Sequence, residues 1–465
     1  MSVMDPPATA DTESLLHQLL DPAVAAGVLS QDEWQEVLEH VRDLMTLIGD
    51  DRIVGEPFWI EFQDRFDFVG ADPSVVPMSA ANLCPEPAGL IGAANFLRAR
   101  YNRNVAMQTR MGTGVRAEQL RVARQAIAGG LGCQPDNLAL VRNASEGNNA
   151  VNCGYRGWRS GDNVVLWAQN HPTNLDAWHL RSENGTRFRV REVSFNRDAG
   201  DGEIADAFLD AVDGGTRFVS YSMIANGSGF RIPDRVVAQI WNAVKDRCHV
   251  HVDGTMVWGA RHLPLEDAGG NPAFCHSFVS SGHKWFLGPK ETGVLYMTPS
   301  KAEQFVPSIF AYDYSITMPR WQDYARTARR FEYLGQRDDV NLIILTLTQG
   351  MWSALSAARL DRAPYDRVKQ LSDLLVGELV ASQWTLVTPE DEERRWGIVR
   401  VEAKRAQGET LSDFMYGEGI AERPRFAGFG DRETFRLCPH IYNTTSDITT
   451  AVGLMNAWRS TAGVR

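Results

Sequence analysis

After a polar, Pro/Ala-rich first dozen residues, expected to be disordered, the chain takes on a helical rhythm. Leu15, Leu16 and Leu19, then Trp34, Val37, Leu38, Val41, Leu44 and Met45, recur at helical spacing. That spacing predicts an arm of two helices ending near residue 48. From about residue 75 the rhythm alternates. Short apolar runs at 137–141, 163–167, 188–193, 217–223, 249–253, 277–280 and 293–297 predict strands. Helix-like stretches at 118–131, 148–154, 205–211 and 235–246 lie among them. Such alternation predicts an α/β fold, a mostly parallel sheet covered by helices on both faces. After about residue 331 a long helical stretch at 342–379 precedes strand-like pieces at 384–387, 398–402 and 434–437 and a last helix at 447–459. The pattern divides the chain into an N-terminal helical arm (1–75), a large domain (76–330) and a small α+β domain (331–465).

Composition narrows the class of function. The 465 residues are 44% hydrophobic and 23% charged, as in an ordinary globular protein. A net charge of -11 argues against a partner made of nucleic acid or anionic lipid. The start of the chain lacks a basic stretch followed by an apolar run, and no uncharged apolar stretch approaches the roughly 20 residues that cross a bilayer. The expected protein is therefore soluble and cytoplasmic. Cys84, Cys133, Cys153, Cys248, Cys275 and Cys438 are scattered without a CxxC pair, which reads as reduced thiols.

Polar residues that interrupt the apolar pattern gather at strand ends, where open α/β sheets bind ligands. Ser281-Gly282-His283-Lys284-Trp285, then Gly288-Pro289, follow the run at 277–280. A lysine there, beside Ser281 and His283 as phosphate donors, fits a nucleophile that forms imines with carbonyls. Asp253 closes an apolar strand, where a carboxylate is costly unless paired. A protonated pyridine nitrogen would pair it; so would the start of a following helix. Asn143-Ala144-Ser145-Glu146 opens a helix whose first amides suit a phosphate. His171 can stack on an aromatic ring, and Asn226 can reach a phenolic oxygen. His249 and His251 share one strand face, but without a third ligand at matching spacing they predict no metal site.

Phosphate turn, His, Asn, Asp and Lys, in that order and each after a strand, resemble the class V group of fold-type I pyridoxal-phosphate (PLP) enzymes. That group includes cysteine desulfurases, kynureninases and isopenicillin N epimerase-like proteins. The resemblance runs from about residue 77 to the end, and Ser281-Gly282-His283-Lys284 with Gly288-Pro289 carries most of it. Asn82-Leu83-Cys84-Pro85 and Arg436-Leu437-Cys438-Pro439-His440-Ile441-Tyr442-Asn443-Thr444 are similar to segments of the epimerase-like branch.

The resemblance implies a large and a small domain, PLP as cofactor and a homodimer. It makes Lys284 the Schiff-base lysine and the proton carrier at the substrate α-carbon. Asp253 pairs with the pyridine nitrogen, His171 stacks on the ring, and Asn226 approaches the ring hydroxyl oxygen. Ala144, Ser145, Glu146, Ser281 and His283 surround the phosphate, and Gln336, in the segment 335–338 lent to the partner subunit, can donate to it. Arg436 grips a substrate carboxylate with two parallel hydrogen bonds, with Asn82 and Trp258 also on the substrate side. Two positions depart from the desulfurase pattern. Met256 stands where desulfurases carry Gln, and Gly335-Gln336 stands where the family often has Gly-Thr.

With PLP, substrate orientation decides which bond breaks. The expected reaction is β-elimination from a cysteine S-conjugate (a C–S lyase of antibiotic or other secondary metabolism) or decarboxylation coupled to deamination. Transamination and epimerisation are the alternatives, with cysteine desulfuration behind them because no cysteine sits on an obvious loop to accept sulfur. An aromatic rim of Trp258, Trp285, Phe286, Tyr312, Tyr314 and Trp321 would suit a bulky substrate.

Overall fold

The computed structural model describes residues 12–71, 75–184, 188–309, 326–332, 335, 337–357, 363–404, 408–417 and 425–462. Residues 1–11, expected to be disordered, lie outside them, as do Gln336, Tyr312, Tyr314 and Trp321. The chain forms two compact units. Of the described residues, one joins Gly112–Ala225 to Ile232–Gln349; the other joins residues 12–111 to Asn226–Arg231 and to those from Gly350 on.

The strands, in chain order, are β1 (Val75–Pro77), β2 (Leu138–Val141), β3 (Asp162–Trp167), β4 (Phe188–Val193), β5 (Thr216–Ser222), β6 (His249–Asp253), β7 (Ser277–Ser281), β8 (Gly293–Met297), β9 (Val399–Glu402), β10 (Arg425–Ala427), β11 (Phe429–Gly430) and β12 (Thr434–Leu437). The first unit is built on a seven-stranded sheet of order β2-β8-β7-β6-β5-β3-β4. Strands β4, β3, β5, β6 and β7 run parallel, and β8 is antiparallel to both β7 and β2. Two antiparallel steps restore direction, so β2 points the same way as β7. The carboxyl ends of β2, β3, β5, β6 and β7 therefore share one edge of the sheet. Every residue of β2, β3, β6, β7 and β8 is buried, as expected for strands covered on both faces.

A buried ion pair pins this unit. Glu332, 2% exposed, accepts from Arg124 Nη1 at 2.6 Å and from the Leu140 amide at 3.1 Å. Removing one partner strands the other charge in the interior. Glu332→Ala is expected to cost about 3–5 kcal/mol, read as a lowered midpoint in urea unfolding; an unchanged midpoint would contradict this role.

In the second unit the arm helices Thr12–Ala25 and Gln31–Gly49 occur as the spacing predicts. Ser30 starts the latter with a reciprocal capping box to Glu33. These helices belong to the same unit as β9–β12 and the last helix, Thr445–Ala462. Within that unit β1 pairs in parallel with β10. Glu56 binds Arg367 at 2.7 Å and accepts from the Thr445 amide at 2.7 Å. The two units thus cut the chain elsewhere than at 75/76 and 330/331, because pairings distant in sequence close the second one.

Two local expectations fail. The stretch predicted as one helix is two, Asp339–Ala357 and Pro364–Ala381, and the second begins at a proline, which cannot sit in a helix interior without loss of a hydrogen bond. Residues 384–387 form no strand; Leu386 makes an isolated bridge to Val401. The helix Asp339–Ala357 is long and apolar enough to cross a membrane by length and composition alone. Its Ile343, Ile344, Leu345, Met351, Trp352 and Leu355 are, however, buried inside the protein.

Candidate active site

The first unit brings most of the expected site residues to one sheet edge. After β2, Asn143 caps the helix Ala144–Gly154, its Oδ1 accepting the Glu146 amide at 2.9 Å. The first amides of a helix have no intrahelical acceptor. The Ala144 amide donates to Ser281 Oγ at 2.9 Å, which ties this turn to the end of β7. The Ser145 amide has no partner among the described residues. The Glu146 carboxylate turns away, accepting from the Arg142 amide at 2.8 Å and Arg142 Nε at 3.2 Å. A Cβ on Gly147 would stand 2.7 Å from Val279 Cγ1, so only glycine lets this helix rest so closely on β7.

After β3, His171 is the N-cap of the helix Pro172–Glu183. Its Nδ1 lies 3.0 Å from Thr173 Oγ1 and accepts the Thr173 amide at 3.3 Å. Asn170 stitches this loop to β5, donating to Ser220 O at 3.0 Å and accepting the Ser222 amide at 2.7 Å.

At the end of β6, Asp253 is 4% exposed. Its Oδ1 accepts from the Thr255 amide at 3.0 Å and Thr255 Oγ1 at 2.6 Å, and its Oδ2 from Asn148 Nδ2 at 3.0 Å. Three neutral donors hold the carboxylate, with no cation paired to it among the described residues, which leaves it able to accept from a cationic N–H.

After β7 the chain turns through Lys284. Gly282 donates to Thr292 O at 2.8 Å, Gly288 to Gly282 O at 2.8 Å, and Leu287 to Lys284 O at 3.0 Å. Leu287 closes the turn in the left-handed region, at φ 61°. Gly259, at φ 86°, supports it from below, where a Cβ would stand 2.1 Å from Trp285 O. Lys284 is half-buried. The neighbouring His283 has its pKa lowered to about 4, by burial first and then by the charges of Lys284 and Lys290. It is therefore neutral near pH 7, and its buried Nδ1 has no partner among the described residues.

The aromatic rim resolves differently. Trp258, Trp285 and Phe286 are buried. Trp258 stacks on Phe286 at 3.9 Å between centroids, and the Trp285 indole donates to Met256 Sδ at 3.4 Å. These rings fill the core around the Lys284 turn, and Met256 takes part in that packing.

Three expected residues belong to the second unit. Arg436, 5% exposed, donates through Nη1 to Asn226 O and Asn226 Oδ1, both at 2.6 Å. Its guanidinium lies 5.1 Å from the Phe429 ring centroid, its Nε is buried without a partner, and it pairs with no carboxylate among the described residues. With its oxygens so engaged, Asn226 keeps its NH2 group to donate. Asn82 is exposed, in the turn after Ser79.

Sequence reasoning missed Asn148, Thr173, Thr255 and Ser277, neutral polar residues that bond to the expected ones. It set His249 and His251 aside as too few for a metal; both instead bond Ser277 Oγ, at 2.7 and 2.8 Å.

This donor set fits PLP: a buried carboxylate for a ring N–H, an unpartnered buried imidazole nitrogen, an open amide at a helix start and a half-buried lysine, all on one sheet edge. Comparison with known proteins points the same way. A probable cysteine desulfurase of Methanothermobacter thermautotrophicus is 28% identical over 233 residues, 50% of this chain and 55% of that protein. The chain thus spans about half the length of that relative. Isopenicillin N epimerase of Amycolatopsis lactamdurans is 24% identical over 255 residues, 53% of this chain and 60% of that one. Two solved structures of C-DES share the fold at 18% identity. One, with glycine covalently linked to the PLP cofactor, has a TM-score of 0.69 and covers 85% of this chain and 98% of its own. The other, described as the cystine C–S lyase with its product cysteine persulfide, has a TM-score of 0.67 and covers 82% and 96%. The aminotransferase class-V description matches residues 85–450, most of the chain. The chain belongs to the class V aminotransferase family, and its cofactor is pyridoxal phosphate.

Proposed function

We propose that the protein is a PLP-dependent C–S lyase that cleaves a cysteine S-conjugate by β-elimination, giving a thiol, pyruvate and ammonia. The observation that carries this reading is the state of the thiols. Persulfide transfer needs an accessible thiolate to attack sulfur. None of the six cysteines is exposed. Cys84, Cys248, Cys275 and Cys438 are buried; burial pushes the Cys133 thiol well up; and Cys153 lies within a helix, donating to Asn152 Oδ1 at 3.0 Å. A sulfur-bearing substrate can still lose its sulfur as a thiolate that takes up a proton, while one water hydrolyses the dehydrated amino acid left behind to pyruvate and ammonia.

PLP supplies an electron sink at the substrate α-carbon. Lys284 carries the cofactor, removes the α-proton and can return a proton to the departing sulfur. As the Cα–H electron pair moves in, the Cβ–S bond breaks and the pair in it leaves with sulfur. Asp253 would pair with the ring nitrogen and hold it protonated, and His171 would stack on the ring. Ser145, Ser281 and His283 hold the phosphate, with Ala144 joining the two turns. Arg436 would be the substrate-carboxylate residue: its buried guanidinium has no acidic partner among the described residues, and Asn226 fixes its direction. A homodimer, with segment 335–338 offered to the partner's phosphate, completes the proposal.

The test is a product assay with cysteine conjugates and with cysteine. The expected outcome is pyruvate and ammonia in equal amounts with thiol. Alanine with released sulfur would favour desulfuration, the activity named for the Methanothermobacter relative, and turnover that requires a keto acid would favour transamination. Arg436→Lys loses the two-pronged geometry and should raise KM by about tenfold or more; an unchanged KM would remove Arg436 from substrate binding.

A further inference from the structure

We propose that Asn148 is a positioning residue that orients the Asp253 carboxylate toward the cofactor and couples it to His171 through Thr173. The inference rests on the reading that Asp253 faces the ring nitrogen. Asn148 is 1% exposed, on the inner face of the helix Ala144–Gly154. Its amide touches three side chains. Nδ2 donates to Asp253 Oδ2 at 3.0 Å and to Thr173 Oγ1 at 3.3 Å, and Oδ1 lies 2.9 Å from His251 Nε2. Thr173 Oγ1 in turn lies 3.0 Å from His171 Nδ1. One amide therefore meets Asp253 directly and His171 through Thr173.

Chemistry fixes the direction of every bond in this chain. An ionised carboxylate only accepts, so the NH2 end of Asn148 must face Asp253. The oxygen end then faces His251, which must carry its proton on Nε2. Burial lowers the His251 pKa to about 4, with Asp253 raising it in part, so the ring is neutral and Nδ1 accepts. Its partner there is Ser277 Oγ, at 2.8 Å, which must donate. Ser277 Oγ then accepts from His249 Nε2 at 2.7 Å. His249 is neutral as well, its pKa held well below the usual range by burial and by His276, His251 and Lys301. The order His249, Ser277, His251, Asn148, Asp253 passes donors one way, with no reversal that leaves Asp253 satisfied. Aligned hydrogen bonds in a dry interior polarise one another. The chain delivers its last donor to Oδ2 of Asp253 while the Thr255 amide and hydroxyl hold Oδ1, so the carboxylate plane is set from both ends. His249 and His251, whose alternation resembles a partial metal site, serve as neutral links in this chain.

The test is PLP affinity of apoprotein, followed by quenching of tryptophan fluorescence, in four proteins: wild type, Asn148→Ala, Asp253→Ala and the double variant. Asn148→Ala removes a hydrogen bond to a charged group and should weaken PLP binding roughly 10- to 100-fold. In the Asp253→Ala background the same change should weaken it by less than about 3-fold, because residues acting through one another are non-additive. An equal loss in both backgrounds would overturn the proposal, since it would show a purely structural role. If Asp253→Ala alone leaves PLP affinity unchanged, the Asp253 reading fails instead, so the two failures are separable. Should Asn148→Ala not fold, the isosteric Asn148→Asp serves. It sets a second carboxylate against Asp253 and should weaken PLP binding by at least about tenfold in the Asp253 protein only; wild-type affinity would overturn the proposal.

Discussion

The purified protein is expected to be yellow from its cofactor, and Lys284→Ala to abolish that colour and to lower turnover by at least about 100-fold. The lysine sits half-buried in a turn that the backbone itself constructs, through Gly282 to Thr292 O, Gly288 to Gly282 O and Leu287 to Lys284 O. None of those bonds uses the lysine side chain, so the turn should survive its removal. The loss should then appear in kcat and in the visible spectrum, with little change in the urea midpoint. Full turnover by Lys284→Ala would refute the assignment of the lysine.

Asp253→Asn should reduce kcat by about 100- to 1000-fold. The substitution keeps the shape of the side chain and removes the charge proposed to hold the ring nitrogen protonated, so the electron sink should weaken. Asp253→Ala adds a second effect, because Asn148 Nδ2 and the Thr255 amide and hydroxyl lose their buried acceptor. Each stranded donor costs about 1–3 kcal/mol. The pair of variants thus separates chemistry from stability by degree: both should be slow, and Asp253→Ala, which leaves all three donors without an acceptor, should unfold earlier in urea than Asp253→Asn, which still offers one acceptor oxygen. Wild-type kcat in Asp253→Asn would exclude the carboxylate from catalysis.

Much of the sheet was legible because its strands are short, apolar and buried on both faces. Each of the seven runs from 137 to 297 marks a strand of the large sheet, to within a residue or so at each end. The helix Pro172–Glu183 was not legible: it buries only Asn174 and Trp178, too few for an apolar stripe. The helix Ala88–Arg103 buries Ala93 and Ala94 beside Leu90, Leu97 and Tyr101, and small residues give a faint period. Charged and nucleophilic residues at strand ends were visible for the opposite reason, since Lys284 and Asp253 interrupt apolar runs. Asn148 was not, because its partner Asp253 is 105 positions away and a neutral amide carries no local signature. The arm's place in the second unit depends on contacts such as Glu56 with Arg367, 311 positions apart, which no local pattern encodes.

The central claim is that Lys284 carries the cofactor covalently, and the chain makes it simple to test. It holds six lysines, at 245, 284, 290, 301, 369 and 404. Reduction of the holoenzyme with borohydride, proteolysis and mass spectrometry would locate the retained pyridoxyl group. The account predicts that mass on the peptide containing Lys284; finding it on the peptide of another lysine, or on none, would contradict it.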